Sequence, residues 1–216
     1  MIIAPMMLES AENPFDARDY IFEPKVEGLR VILTRTEIET RLLSHKKYEV
    51  TRLFPELHCV PVEGNVILDG VVCRIDPESG FYDGAPVAER MRFSKRKQIE
   101  AAVRNCPVIF TVFDVLSYKD RDLRKLPLMK RKSILESILT ENEFFQKISY
   151  IENERDLVYS AMFNREPEGL IAKRKDSRYV GRRSHDWVHL ISPETKAKSI
   201  LPVVLKNEDE VFDPTA

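Results

Sequence analysis

The stretch FEPKVEGLR, residues 22–30, places a lysine where it could act as a nucleophile. Pro24 favours an extended chain just before Lys25, and Gly28 permits a sharp turn just after it. A lysine amine attacks an electrophile such as phosphorus only when it is deprotonated, a state favoured by burial or by a neighbouring cation. On this stretch alone, a surface charge on an exposed strand is the simpler interpretation.

Attack on the α-phosphate of a nucleotide needs further groups, and the sequence offers a candidate for each. The reaction needs a metal ligand, an aromatic platform for the base and cations around the phosphates. Glu168 and Lys173 lie in EGLIAKRK, and Phe113 precedes Asp114 in FTVFDVL. The structural alternatives are a surface ion pair for Glu168 and Lys173, and a core position for Phe113.

Five short segments follow one another along the chain: EPKVEGLR, VILDG, FTVFDVL, EGLIAK and DWVHLI. In this order they resemble motifs I (KxDGxR), III, IIIa, IV (EGxxxK) and V of the covalent nucleotidyltransferases, which include ATP-dependent polynucleotide ligases and mRNA capping enzymes. SHKKYEVTRLFPEL, DLRKLPLMKRKSIL and KRKDSRYVGRRSHDW are similar to connecting segments of small bacterial and phage ATP-dependent DNA ligases. The resemblance covers roughly residues 5–192.

The resemblance implies a covalent mechanism centred on Lys25. This lysine would attack the α-phosphate of ATP, release pyrophosphate and hold AMP as a phosphoramidate. The AMP would then pass to the 5′-phosphate of a nick in double-stranded DNA, and the 3′-hydroxyl would displace it. Arg30 would contact the ribose and the nick phosphate.

The resemblance also implies roles for four residues around the nucleotide. Glu23 would help to recognise the adenine through its backbone, and Phe113 would stack on the adenine ring. Glu168 would hold the divalent cation, Mg²⁺, and Lys173 would neutralise phosphate charge. ATP and Mg²⁺ are therefore the expected cofactors.

The sequence departs from the family pattern at four positions that bear on activity. Val71 follows Asp-Gly where motif III continues to a glutamate. Ser44-His45 stands where the family's motif Ia, between motifs I and III, usually has Ser-Arg. His189 and Ile191 replace both lysines of motif V. Losing one electrostatic contact to a transition state costs roughly 2.7–4 kcal/mol. An alternative is therefore a degenerate ligase-like protein that binds nucleotide or DNA with little or no sealing; a third is an RNA-directed ligase or guanylyltransferase.

Short apolar strands mixed with amphipathic helices predict an α+β fold. The predicted strands are YIFEPKV, RVILTR, IETRLLS, NVILDGVVCRI, PVIFTVFDVLSY, EGLIAKRK and DWVHLISP. The predicted helices are TRLFPELHCV, APVAERMRF, SKRKQIEAAVRN, LPLMKRKSILESILTEN and NERDLVYSAMFNR. The resemblance implies an ATP-grasp-like nucleotidyltransferase domain, with mainly antiparallel sheets and helices packed around a nucleotide cleft.

Length and composition predict a single domain with an appendage. The 216 residues are 43% hydrophobic, enough for one core, which we place at residues 1–200, followed by an acidic tail at 201–216. About 25 residues follow motif V, too few for the OB-fold domain that closes over the nucleotide and grips DNA in this family. No OB-fold domain is therefore expected, and a separate OB-fold or clamp protein is a candidate partner.

Cysteine usage suggests an intracellular protein, and the distribution of charge leaves a nucleic-acid partner open. Four of the 35 acidic residues lie in the last ten positions, which hold no base, so the rest of the chain is net basic. Three widely spaced cysteines, Cys59, Cys73 and Cys106, predict neither a disulfide framework nor a zinc site. No signal peptide or membrane span is expected. We expect a cytoplasmic protein, bacterial or phage-derived, that works at the nucleoid.

Overall fold

The computed structural model describes residues 3–10, 17–152 and 169–190. Several predictions made from the sequence lie outside these ranges. They are the helix NERDLVYSAMFNR, the metal ligand Glu168, the motif V position Ile191 and the acidic tail at 201–216.

The described residues form twelve strands and three α-helices. The strands are β1 (Met7–Ser10), β2 (Tyr20–Pro24), β3 (Leu29–Arg35), β4 (Thr40–Ser44), β5 (Val66–Ile75), β6 (Tyr82–Asp83), β7 (Ile109–Tyr118), β8 (Arg121–Asp122), β9 (Phe145–Lys147), β10 (Ile151–Glu152), β11 (Leu170–Arg174) and β12 (Arg183–Leu190). The helices are α1 (Ala85–Arg90), α2 (Arg96–Asn105) and α3 (Leu128–Ile138). The α+β prediction is confirmed.

One predicted helix is wrong in type. TRLFPELHCV forms two single 3-10 turns, Thr51–Leu53 and Pro55–Leu57, instead of an α-helix. Pro55 has no N–H to continue a helical ladder, and its ring disfavours the helical conformation at Phe54. Phe54 accordingly adopts φ −131° and ψ 61° between the two turns.

The strands form two sheets that are mainly antiparallel. The smaller sheet has the order β1-β12-β11-β2-β10, and the larger has the order β4-β3-β5-β7-β8 with β6 and β9 at its margins. Two pairs among the described strands are parallel, β1 with β12 and β7 with β9. Antiparallel neighbours within each sheet bring motif segments from distant parts of the chain side by side: β2 pairs with β11, and β3 with β5.

Three apolar clusters hold these layers together. The largest covers one face of the larger sheet with side chains from all three helices, among them Val87, Ile99 and Leu135. The second joins the two sheets, and it includes Ile21 of β2 and Ile32 of β3. The third lies on the other face of the smaller sheet. Because successive strand side chains alternate in direction, alternate residues of β2, β11 and β12 point toward the larger sheet.

A buried ion pair fixes α3 against the larger sheet. Arg131 of α3 donates to both carboxylate oxygens of Asp114 in β7, each at 2.8 Å, and neither side chain is exposed. Arg131 also donates to the carbonyls of Leu126 and Ser177 at 2.6 and 3.0 Å. The guanidinium therefore joins a strand, a helix and the segment between β11 and β12.

None of the helices among the described residues is both long and apolar enough to cross a membrane.

Candidate active site

Two glycines set the position of Lys25 at the end of β2. The backbone N–H of Lys25 donates to the carbonyl of Gly169 at 3.0 Å, which joins the motif I and motif IV segments. Gly169 has φ +88°, and a Cβ there would lie 2.2 Å from the carbonyl oxygen of Leu190. Gly28 has φ +153°, and its Cβ would lie 2.2 Å from the carbonyl oxygen of Val72. Only glycine fits either turn without displacing backbone.

Lys25 opens on a cavity of about 160 Å³ between the two sheets. The lysine side chain is 26% exposed and forms an ion pair with Glu27 across the turn. The cavity walls include, besides Lys25, Glu23, Arg30, Val71, Phe113, Lys173 and Trp187. Five of the six site residues predicted from the sequence therefore meet at one cavity.

The sixth, Glu168, lies outside the described residues. Its chain neighbour Gly169 is described, and it is the residue that accepts the hydrogen bond from the Lys25 backbone.

Glu23 forms the charged floor of the cavity. Its side chain is 1% exposed and pairs with two lysines, Lys173 of β11 at 2.5 Å and Lys132 of α3. Burial favours the protonated acid, but the charges of Lys132 and Lys173 outweigh it and lower the pKa of Glu23 below its ordinary value. Glu23 is therefore an ionised carboxylate inside the protein.

Lys173 is a buried cation whose pKa is lower than that of an ordinary lysine. Burial, with the nearby charge of Lys132, lowers the pKa of Lys173 to about 8 despite the opposing charge of Glu23. Its Nζ lies 3.9 Å from the ring centroid of Phe113 and 4.2 Å from that of Trp187, in cation–π contact with both.

Arg30 is held by a carboxylate of the neighbouring strand. Its Nε and Nη2 donate to the two oxygens of Asp69 at 3.1 and 2.7 Å, and the hydroxyl of Tyr179 donates to Asp69 at 2.7 Å. Burial opposes the charge of Arg30, but Asp69 raises its pKa above the ordinary value, so it stays cationic. Its guanidinium carbon lies 5.2 Å from the Phe113 ring centroid.

Phe113 belongs to both the core and the cavity wall. Its ring is 7% exposed and meets Trp187 edge to face, with centroids 5.9 Å apart at 81°. The cationic groups of Arg30 and Lys173 lie against this ring. The core and platform interpretations of Phe113 are therefore compatible, because the ring is packed by its neighbours and still borders the cavity.

The departures from the family pattern fall around this cavity. Val71 lines it, and its Cγ1 would lie 2.9 Å from a Cβ at Gly28, so the residue sits directly against the turn of motif I. His45 is exposed, and its backbone N–H donates to the carbonyl of Arg30 at 3.1 Å. Partial desolvation, together with the charges of Lys46 and Arg30, lowers the pKa of His45, so at neutral pH it does not replace an arginine charge.

His189 lies opposite Ile171 where β12 pairs with β11. It is in the same alternating set of β12 residues as Trp187, the set directed toward the larger sheet. The other replaced position of motif V, Ile191, is outside the described ranges.

Asp69, Tyr179 and Lys132 are contacts that the sequence did not predict. A signal existed for Asp69, because a carboxylate inside the apolar strand NVILDGVV requires a buried partner. Lys132 lies in a basic run, where a solvated position is the ordinary expectation. It is 7% exposed instead, because α3 directs it inward to Glu23.

The two-sheet fold and its cavity, with the lysine at the end of β2, define a nucleotidyltransferase domain. The family model for the ATP dependent DNA ligase domain matches residues 4–190. The chain belongs to this family. The family and the fold expected from the motifs are therefore confirmed.

Curated relatives agree with this assignment. The SPbeta prophage-derived DNA ligase-like protein LigB of Bacillus subtilis is 31% identical over 194 residues, which cover 89% of this chain and 68% of that protein. The DNA ligase of Saccharolobus solfataricus is 28% identical over 205 residues, covering 87% of this chain and 34% of that protein. This chain thus spans about a third of the archaeal ligase.

Solved structures share the fold. The ligase domain of LigD from M. tuberculosis superimposes with a TM-score of 0.70 at 25% identity, covering 87% of this chain and 58% of that one. The ATP-dependent DNA ligase of bacteriophage T7, in complex with ATP, gives a TM-score of 0.60 at 14% identity, covering 88% and 69% of the two chains. At that identity the second comparison concerns the fold alone.

Proposed function

We propose that this chain transfers AMP as the adenylation domain of an ATP-dependent DNA ligase, with Lys25 as the nucleophile. The single observation that carries the proposal is the position of Lys25, at the end of β2 and open to a cavity lined by Arg30, Phe113 and Lys173. The AMP would be handed to the 5′-phosphate of a nick in double-stranded DNA.

In the first step the Nζ of Lys25 forms a bond to the α-phosphorus of ATP, and the bond from that phosphorus to the pyrophosphate oxygen breaks. The attacking amine must be neutral, and the phosphoramidate retains only one of its two protons. Glu27 is in contact with Nζ and supplies a carboxylate that accepts a proton. The hydrogen bond from the Lys25 backbone to Gly169 holds in place the main chain that carries the nucleophile.

The base and the phosphates would contact different side chains of the cavity. Phe113 supplies a ring face for the adenine, and the backbone of Glu23 borders the same space. Lys173 neutralises phosphate charge, and Arg30 contacts the ribose and then the nick phosphate. Arg30 is already oriented by Asp69, so little further ordering is needed when the ligand arrives.

Mg²⁺ would be held chiefly by Glu168 and by the phosphates of ATP. Within the described ranges no three His, Cys, Asp or Glu side chains gather as a metal site. The carboxylates nearest the cavity are committed to cations, Glu23 to two lysines and Asp69 to Arg30. Mg²⁺ commonly uses one or two carboxylates plus substrate phosphates, so a single glutamate fits. The ion would supply positive charge at the phosphates.

Nicked DNA is the proposed partner because the relatives are named DNA ligases. We also propose a separate OB-fold or clamp protein as a partner, and the cytoplasm, at the nucleoid, as the site of action.

The test is incubation with α-labelled ATP and Mg²⁺, followed by a denaturing gel. The expected result is label on the wild-type chain and none on Lys25→Ala. Label that survives Lys25→Ala would remove Lys25 as the nucleophile. GTP in the same assay tests the guanylyltransferase alternative, which requires label from GTP.

A second candidate function is nucleotide or DNA binding without sealing. Two observations favour it: Val71 supplies no carboxylate at the motif I turn, and His45 supplies no charge beside Arg30. It predicts no label on the wild-type chain even at high protein concentration, together with measurable ATP binding.

A further inference from the structure

Lys132 occupies a position that the motifs do not explain. It belongs to α3, outside the five motif segments, and its side chain is only 7% exposed. Its Nζ pairs with the Oε1 of Glu23, while Lys173 pairs with the Oε2. One carboxylate thus holds two ammonium groups, one from a helix and one from a motif strand.

This arrangement carries more positive charge than the carboxylate requires. A single lysine would already neutralise Glu23, and burying a second ammonium group costs free energy that a shared carboxylate offsets only in part. Lys132 also lies 5.3 Å from the ring centroid of Tyr150, whereas Lys173 lies against Phe113 and Trp187 in the cavity wall. The two lysines therefore differ in direction: Lys173 borders the nucleotide cavity, and Lys132 approaches Glu23 from the helix.

We propose that Lys132 is a positioning residue, which keeps Glu23 paired while Lys173 exchanges that carboxylate for the phosphates of ATP. The inference rests on the proposed function, since it requires ATP in this cavity. A triphosphate competes with Glu23 for Lys173. Without Lys132, the exchange would leave Glu23 as a buried carboxylate with no counter-charge, so Lys173 would stay on Glu23 and the phosphates would lose its charge.

Removing Lys132 should therefore weaken the binding of ligands that carry phosphate and spare those that do not. Lys132→Met should weaken binding of a triphosphate, because that ligand needs Lys173. The same change should leave adenosine binding unaltered, because adenosine has no phosphate that Lys173 would have to bind. A merely structural role for Lys132 would weaken both ligands equally. The variant should fold, since Glu23 keeps Lys173 as its partner in the ligand-free protein.

The experiment measures binding of α,β-methylene-ATP with Mg²⁺ and, separately, of adenosine. Trp187 is the only tryptophan of the chain and lines the cavity, so its fluorescence reports occupancy. Lys132→Arg retains the charge, and Lys130→Met removes an exposed lysine from the same helix as a matched control. The expected result is at least about tenfold weaker analogue binding for Lys132→Met, the size of one charge-assisted hydrogen bond.

Three further results complete the expected pattern: unchanged adenosine binding in Lys132→Met, analogue binding near wild type in Lys132→Arg, and no effect in Lys130→Met. The inference is overturned if Lys132→Met binds the analogue as tightly as wild type, or loses both ligands to the same degree. A wild-type chain that binds neither ligand would instead sink the proposed function, and this inference with it.

Discussion

The three cations that line the cavity are each paired with a different carboxylate. The pairs are Lys25 with Glu27, Arg30 with Asp69, and Lys173 with Glu23. These carboxylates hold the cations in place in the ligand-free protein. If the phosphates of ATP bind Lys173 as proposed, that binding is an exchange of partners, and its strength depends on how readily Lys173 leaves Glu23.

Lys173 should impose a pH dependence on triphosphate binding. Its pKa is lowered to about 8, so the side chain is cationic below that pH and neutral above it. The attraction to phosphate is therefore present below about pH 8 and lost as the pH rises through that value. Calorimetric titration with α,β-methylene-ATP from pH 7 to 9 should show affinity falling, with a flatter profile in Lys173→Met. An unchanged slope in Lys173→Met would assign the titration to another group.

Val71 is the position at which restoring a carboxylate is expected to raise the rate of self-adenylylation. A glutamate there would lie at the motif I turn, beside Gly28 and facing the cavity. Val71→Glu is expected to raise the rate of self-adenylylation by about tenfold, or about 1.4 kcal/mol in the barrier, because it restores the carboxylate that motif III normally supplies to the nucleotide site. Val71→Gln has nearly the same shape without the charge and should give no comparable gain. Equal rates for Val71→Glu and wild type would mean that motif III is already compensated.

The residues of the site were predictable to different degrees. Lys25 and Phe113 stand in segments whose order resembles a family, so their common cavity could be expected. Asp69 could be expected to have a partner but not to have Arg30, since pairing depends on which strands become neighbours. The inward direction of Lys132 depends on how α3 packs, and no local sequence pattern encodes that packing.

At the level of elements, long strands follow from the sequence and short ones do not. β5 and β7 are ten residues each, apolar and β-branched, and both were predicted as strands. The strands β6 and β8, of two residues each, exist because a neighbouring strand offers backbone partners. Only the finished sheet supplies those partners, so their own sequences carry little signal.

The ion pair between β7 and α3 should be a main support of the fold. Arg131→Met would leave Asp114 buried without its counter-charge, and breaking such a pair costs about 3–5 kcal/mol. Urea unfolding should therefore show a markedly lower midpoint for Arg131→Met, while the exposed neighbour variant Lys130→Met stays close to wild type. The double variant Asp114→Asn/Arg131→Met should recover part of the loss, because the buried charge is then gone. A loss below about 1 kcal/mol for Arg131→Met would contradict this account.

At the scale of the whole molecule, two sheets meet at one cavity that gathers residues from the start, middle and end of the described chain. Lys25 comes from β2 and its turn, Phe113 from β7, and Lys173 from β11. The same fold recurs in the LigD ligase domain at 25% identity, so most of the sequence can vary while the sheets persist. The proposed function depends on a small set of side chains that the two sheets hold in position.

The proposed transfer of AMP from ATP to Lys25 changes the mass of the chain, so an intact-mass measurement detects it. The chain is incubated with ATP and Mg²⁺ and its intact mass is measured. The modified protein is then digested to locate the added group. One adenylate should be added per chain, on the peptide that contains Lys25, and none in Lys25→Ala. An unmodified mass after incubation at high ATP, or an adenylate on another residue, would contradict the proposed transfer to Lys25.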